Sequence, residues 1–347
     1  MDEQVFEKIS LAMGSGGVES ARLLEALVLK RVPHDMKSFS GGVGLDFPDD
    51  AAAIPLRDGS YLVVTVDSYT VQPIFFPGGD LGTLAAAGTV NDVLMMGGKP
   101  VAALDSLVIE EGLDYGTVRQ IFDSMVKVFE AENVRLIGGD TKVMPKGQVD
   151  QMVMTTVGIG FAEKIIVDKN IAVGDKIIVS GPLGEHGAAI LVAQHKLESQ
   201  EFRSDVKPLT SLMNEIFAKY IDYVHAARDP TRGGLAMALH DWASSSHTSI
   251  FIDEAEIPVR EPVSALCDMM GIDPLFLASE GVVLLAVKPE IAEEIVAVMK
   301  NFGYSFARVI GQVRENTRGH SFVVMKTMIG GYRVLEPPTG EIVPRIC

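Results

Sequence analysis

Apolar and polar positions along this chain follow two periods, and the switches between them mark out its elements. Tyr61 to Val66 is an apolar run rich in β-branched residues, and Val101 to Ile109, Val134 to Ile137 and Met152 to Gly160 read as further strands. Between them, Asp80 to Met96 predicts a helix of small residues and methionine, and Tyr115 to Ala131 carries the stripe of an amphipathic helix. The pattern resets around Val167 to Asp175. Beyond it, Ile177 to Val179, Ser249 to Ile252, Gly281 to Val287, Phe306 to Val309 and Phe322 to Met325 predict strands. A helix running through Ala193 and helices over Leu209 to Tyr223, Leu235 to Ala243, Val259 to Met270 and Ile291 to Phe302 are interleaved with them. Both halves therefore mix helix and sheet, which predicts two α/β or α+β domains meeting near residue 165.

The ends depart from this regularity. Asp2 to Leu11 is weakly helical and stops at Gly14-Ser15-Gly16-Gly17, after which Val18, Leu23, Leu24, Leu27 and Val28 recur at helical spacing. Glycines ahead of a helix leave backbone N–H groups free to meet an anion, although the same cluster also serves ordinary turns. At the other end, Pro337, Pro338, Gly340 and Pro344 argue for an extended arm, and that arm finishes on Cys347. A thiol at such a tip can reach a pocket in the folded body, or can be an incidental frayed end.

Composition narrows the function. The 347 residues are 47% hydrophobic and 22% charged, as in soluble globular proteins, and no apolar run is long enough to span a bilayer. A formal net charge of −16 argues against nucleic acid or anionic membrane as the main partner. Cys267 and Cys347 are the two cysteines, so no disulfide framework is expected, and a cytoplasmic location fits. Met1-Asp2-Glu3-Gln4 is acidic and lacks the basic start of a secretion signal.

The candidate chemistry lies in scattered aspartates. Asp49-Asp50, Asp67, Asp92 and Asp140 sit in or beside the predicted elements, with Asp67 and Asp140 expected at strand ends, where sheet proteins bind ligands. Converging carboxylates without thiolate or imidazole favour a hard cation, Mg²⁺ held together with phosphates. Each aspartate alone is equally well a helix cap or an Asx turn. Gly97-Gly98-Lys99 is followed by Pro100, so it is not a P-loop, and no zinc-ligand spacing is present.

Several longer blocks occur in order. They are Asp49-Asp50-Ala51-Ala52, Val66-Asp67-Ser68, Phe75 to Asp80, Asn91-Asp92, Gly138-Gly139-Asp140-Thr141-Lys142-Val143, Asp229 to Leu235 and the ending Pro344-Arg345-Ile346-Cys347. Together they resemble the hydrogenase maturation factor HypE family, a branch of the aminoimidazole ribonucleotide synthetase superfamily. The resemblance covers nearly the whole chain and departs from the family's usual pattern at Met13, where a histidine commonly precedes the glycine loop.

What the resemblance implies is specific. The fold would be the two-domain aminoimidazole ribonucleotide synthetase-like α/β (α+β) fold. Its parts would be an N-terminal segment (1–40), an ATP-binding and dimerisation domain (41–165), a C-terminal domain (166–335) and a mobile tail (336–347). The activity would be ATP-dependent dehydration of an S-carbamoyl group on Cys347 to a thiocyanate. HypF would load the thiol, and the HypC–HypD complex would accept the cyano group for nickel–iron hydrogenase. Asp50, Asp67, Asp92 and Asp140 would hold Mg²⁺ and ATP, with Asn91 in support. Gly14, Ser15, Gly16 and Gly17 would close over the nucleotide. Lys142, His186 and Glu280 would serve phosphate contact or proton handling, and the protein would be a homodimer. Asp229, Thr231 and Arg232 would wall the site or cap the following helix. A small-molecule kinase or synthetase of the same superfamily, or a non-catalytic carrier of a Cys-bound group, are the other readings.

Overall fold

In the computed structural model, residues 8–197, 199–316 and 319–341 are described. An exposed helix, α1 (Val18–Leu24), precedes β1 (Ala52–Pro55), β2 (Tyr61–Tyr69), a two-residue ribbon of β3 (Phe75–Phe76) and β4 (Gly79–Asp80), and α2 (Leu81–Met95). Then come β5 (Lys99–Glu110), α3 (Tyr115–Ala131), β6 (Arg135–Met144) and β7 (Met152–Ala162). The second half holds β8 (Lys176–Val179), α4 (Glu185–Gln194), α5 (Thr210–Tyr220), β9 (Val224–Arg228), α6 (Gly234–Ser245), β10 (Ser249–Asp253) and α7 (Glu261–Met270). It ends with β11 (Leu284–Val287), α8 (Ala292–Asn301), β12 (Arg308–Arg314), β13 (Val323–Lys326) and β14 (Tyr332–Val334). The two-domain mixed architecture expected from the periodicity is what the chain forms.

The first sheet runs β1-β2-β7-β5-β6, antiparallel except for β5 and β6, which are joined through α3. Strict alternation along β7 sends Met152, Met154, Thr156 and Gly160 to a buried face, where α2 packs. The other face carries Val66, Leu104, Val108, Val157, Ile159 and Phe161 and is covered by no element among the described residues; Val66 is 62% exposed there. The second sheet runs β14-β13-β10-β12-β8-β11-β9. Its central strands are buried on both faces: Ile178 and Leu285 meet α4, α5, α7 and α8, whereas Ile177 and Leu284 meet Leu239 and Trp242 of α6.

Helix α2 joins the halves. Every residue in it except Thr83 is buried, because the first sheet covers one side and α5 and β9 of the second half cover another. A helix buried all round has no amphipathic stripe, which is why its small apolar residues are packed without one. Asp80 caps it, accepting from the Thr83 N–H at 2.8 Å.

Two predicted strand ends lie elsewhere than expected. β2 continues past Asp67 to Tyr69, and β6 continues through Gly138-Gly139-Asp140-Thr141-Lys142 to Met144. The long partners β7 and β5 supply backbone hydrogen bonds well beyond the apolar runs, so polar residues extend both strands.

Candidate active site

The junction beneath α2 gathers carboxylates from both halves. Asp67 on β2, Asp92 on α2, Asp229 after β9 and Glu280 before β11 line one cavity of about 30 Å³, together with Tyr69, Gly88, Thr231 and Arg232. That volume suits an ion and water. Asp92, Asp229 and Glu280 are each less than 10% exposed. The Thr65 hydroxyl donates to Asp92 Oδ2 at 2.8 Å, while Asp229 Oδ2 and Glu280 Oε1 have no hydrogen-bond partner. Arg232 Nη2 stands 3.8 Å from Asp67 Oδ1.

Burial and mutual repulsion dominate the electrostatics. Burial first, then the charges of Asp67, Asp229 and Asp50, hold the Asp92 carboxyl well above its usual range. Burial does the same to Glu280, reinforced by Asp229 and Asp205 against a smaller opposing effect of Arg232. Asp229 is pushed up to about 7, by burial and by Asp67. Tyr69 is held protonated by burial and by Asp67, Asp92 and Glu280. Gly88 leaves room for that hydroxyl: a Cβ there would lie 2.3 Å from the Tyr69 Oη.

Asp50 adjoins this group on a buried ionic strut. Arg228, at the end of β9, reaches Asp50 at 3.3 Å, Asp168 at 3.0 Å and Asp241 at 2.8 Å. Trp242 Nε1 donates to the other Asp168 oxygen at 2.7 Å. Burial raises Asp50 well above the ordinary range despite Arg228, and its Oδ2 is unpartnered. Asp49 has a local task, accepting from the Asp50 and Asp168 N–H groups at 3.0 and 2.9 Å. Asn91 is committed to the domain contact: it accepts from the Leu209 N–H at 2.9 Å and donates to the Lys207 carbonyl at 3.2 Å.

Asp140, Lys142 and His186 do not line this cavity. Asp140 and Lys142 form an exposed pair at 2.8 Å on β6. The register Ser68–Thr155–Ser106–Asp140 places Asp140 in a row on the sheet face opposite α2. His186 is buried on α4, bonded to the Ser204 hydroxyl at 2.8 Å with its ring edge-on to Phe76, and it does not line the cavity. The glycine loop is engaged by the chain itself. Ser15 and Gly16 N–H groups bond to Ala12 and Ser20, the Val18 N–H bonds to the Pro338 carbonyl, and Gly16 packs against Arg232. The N–H groups of Ser15, Gly16 and Val18 are thus engaged within the chain. Cys347 lies outside the described residues. Cys267 is buried in α7, its thiol pushed up to about 12 by burial.

The described carboxylates contain no group of three His, Cys, Asp or Glu already arranged to hold a metal ion. What the cluster does show is carboxyl groups crowded together out of solvent, with unpartnered oxygens on Asp50, Asp229 and Glu280. That donor chemistry suits a hard cation sharing its ligands with phosphate and water. Tyr69 and Arg228 complete the cluster beyond the residues expected from the sequence. The one signal for Arg228 in the chain is a charge closing the apolar stretch just before Asp229-Pro230.

Comparison with known proteins bears on the whole chain. The AIR synthase related protein N-terminal domain model matches residues 48–162, and the corresponding C-terminal domain model matches 172–324. Carbamoyl dehydratase HypE of Cupriavidus necator is 37% identical, with 98% of this chain and 95% of that protein covered. The chain belongs to the HypE family. The Escherichia coli carbamoyl dehydratase HypE is 34% identical over 98% of this chain and 99% of its own length. A HypE crystal structure in complex with ATP superposes with a TM-score of 0.79 at 36% identity, covering 98% of this chain and all of that one. The HypE of a HypE–HypF complex gives a TM-score of 0.82 at 35% identity, covering 91% of this chain and 99% of that one. The protein is thus an ATP-dependent carbamoyl dehydratase of hydrogenase maturation. No helix among the described residues is long and apolar enough to cross a membrane.

Proposed function

We propose that the junction cluster binds ATP with Mg²⁺ and dehydrates an S-carbamoyl group carried on Cys347. The observation that carries this reading is the crowding of carboxyl groups at Asp50, Asp92, Asp229 and Glu280, with unpartnered oxygens on Asp50, Asp229 and Glu280, in a HypE-family chain. Asp50, Asp67, Asp92 and Asp229 would hold the metal, which when bound neutralises charge on the transferring phosphoryl group. Asp140, expected to share in this, would act from the opposite sheet face. The ATP-bound HypE relative supports the nucleotide, and the HypE–HypF complex supports HypF as the loading partner.

In chemical terms, the carbamoyl oxygen attacks the γ-phosphorus and ADP departs. The carbon–oxygen bond then breaks with phosphate as the leaving group, while the nitrogen gives up its two protons, leaving S–C≡N. Glu280, buried at the cavity, would handle a proton, and Arg232 would steady phosphate oxygens. His186 would act by positioning the Ser204 segment.

The cyano group would pass to iron on a HypC–HypD complex in the cytoplasm. The division of labour follows 41–165 as ATP-binding and dimerisation domain, 166–335 as second wall and 336–347 as substrate arm. A homodimer would cover the uncovered apolar face of the first sheet, bringing a second copy against Asp140 and Lys142. Light scattering reads this last point, and a monomer mass at working concentration would sink it. For the reaction, intact mass spectrometry of the chain after incubation with HypF, carbamoyl phosphate and ATP should show ATP-dependent loss of one water at Cys347. Retention of the carbamoyl mass with ATP present would refute it.

A further inference from the structure

The N-terminal glycine pair and Glu19 form a clasp on the root of the C-terminal arm. The Val18 N–H donates to the Pro338 carbonyl at 3.1 Å, and the Gly340 N–H donates to Glu19 Oε2 at 3.2 Å. Gly17 is buried beneath this contact, and a Cβ there would stand 2.5 Å from the Pro338 oxygen. One residue earlier, a Cβ on Gly16 would stand 2.3 Å from the Arg232 Cβ, and Arg232 lines the acidic cavity. Adjacent Cα atoms are about 3.8 Å apart, so the two glycines set the arm's root directly beside the cavity wall. Pro338 and Leu335 are buried, and His240 Nε2 bonds to the Leu335 carbonyl, which fixes the arm upstream. Proline has no N–H, so at Pro338 the backbone can be gripped only through its carbonyl, which is the group held. α1 itself buries no side chain, so this stretch does little for the core beyond the contact described.

We infer that Gly16, Gly17 and Glu19 are positioning residues that aim the cysteine-bearing arm at the acidic cavity, rather than a cradle for the nucleotide. The six residues after Glu341 span at most about 20 Å when extended, so where the arm starts decides whether the thiol reaches the cavity. This inference rests on the dehydratase reading above. Its mechanism is effective concentration: a held root restricts the volume that the tethered substrate explores.

The test uses the full chain loaded with a carbamoyl group by HypF and follows single-turnover water loss at Cys347 by mass spectrometry on adding ATP. Losing one hydrogen bond in Glu19→Ala should slow conversion by about two- to tenfold. Gly17→Ala should slow it more, and Glu19→Gln, which keeps an acceptor oxygen, should restore most of the rate. ATP affinity and melting temperature should stay at wild-type values in Glu19→Ala. Conversion of both slowed variants at the wild-type rate would overturn the inference. So would a slowing matched by an equal loss of ATP affinity, because that marks a nucleotide contact. No water loss in the wild type would instead fail the dehydratase reading, and the clasp with it.

Discussion

Replacing Arg228 by methionine tests whether the two halves are held at the site by charge. The guanidinium is 12% exposed and serves three carboxylates, of which Asp168 is buried and Asp50 largely so. Burial works against its charge, and Asp168, Asp50, Asp241 and Asp49 more than offset that. Removing one partner of a buried ion pair costs about 3–5 kcal/mol, since the stranded charge keeps its desolvation penalty. The pH dependence has a definite sign. Asp168 is held at about 8 in the fold against 3.8 ordinarily, so between those values the folded state binds a proton that the unfolded chain does not. Stability from this group therefore falls as pH rises through that window. Without Arg228 the buried carboxyls titrate higher still and the fall steepens. Urea denaturation should show the Met variant about 3–5 kcal/mol less stable than wild type at pH 8.5, and markedly closer to it at pH 5.5. A Lys variant should fall between, because one ammonium cannot fork to three carboxylates. Equal deficits at the two pH values, or a deficit under about 1 kcal/mol at pH 8.5, would refute the strut.

Two further outcomes are expected. Asp105, buried on β5 with an unpartnered Oδ1, is pushed up to about 6 by burial, so this group alone should remove about 2–3 kcal/mol of stability as pH rises from 4 to 7. Asp105→Asn should show a fall over that range shallower than wild type by that amount in pH-dependent denaturation, although its absolute stability carries the cost of an unpaired amide group. Asp229→Asn should raise the Mg²⁺ concentration for half-maximal ATP-dependent conversion by at least about tenfold, since one carboxylate ligand is lost. An unchanged magnesium titration would remove Asp229 from the proposed metal set.

The elements with a strong period were readable because their burial is one-sided or uniform. Tyr115 to Ala131 buries only Ile121, Met125 and Phe129, and its stripe says so. Asp92 and Glu280 were also legible, since acidic residues inside apolar or small-residue stretches are costly unless used. Asp67 and Asp140 were placed at strand ends, yet both lie within strands. An apolar run stops where burial stops, while hydrogen bonding continues as far as a neighbour strand extends. Arg228 and Tyr69 were invisible for another reason: their partners come from other elements, and no local spacing encodes a contact such as Arg228 with Asp50.

The glycine loop is physically ambiguous in the sequence. A missing Cβ permits close approach, but it does not say what approaches. A phosphate is one visitor such a loop admits; Arg232 stands against Gly16 and Pro338 against Gly17. Both alternatives place an oxygen or side chain against bare backbone, so they leave the same mark on local sequence. The deciding contact joins Glu19 to Gly340, 321 positions away, and only the folded chain brings them together. In the proposed clasp, the glycine pair and the terminal cysteine belong to one device for presenting a tethered substrate. The glycines then depend on the arm's prolines more than on the nucleotide, and Gly17→Ala should harm turnover of the tethered thiol while sparing ATP binding.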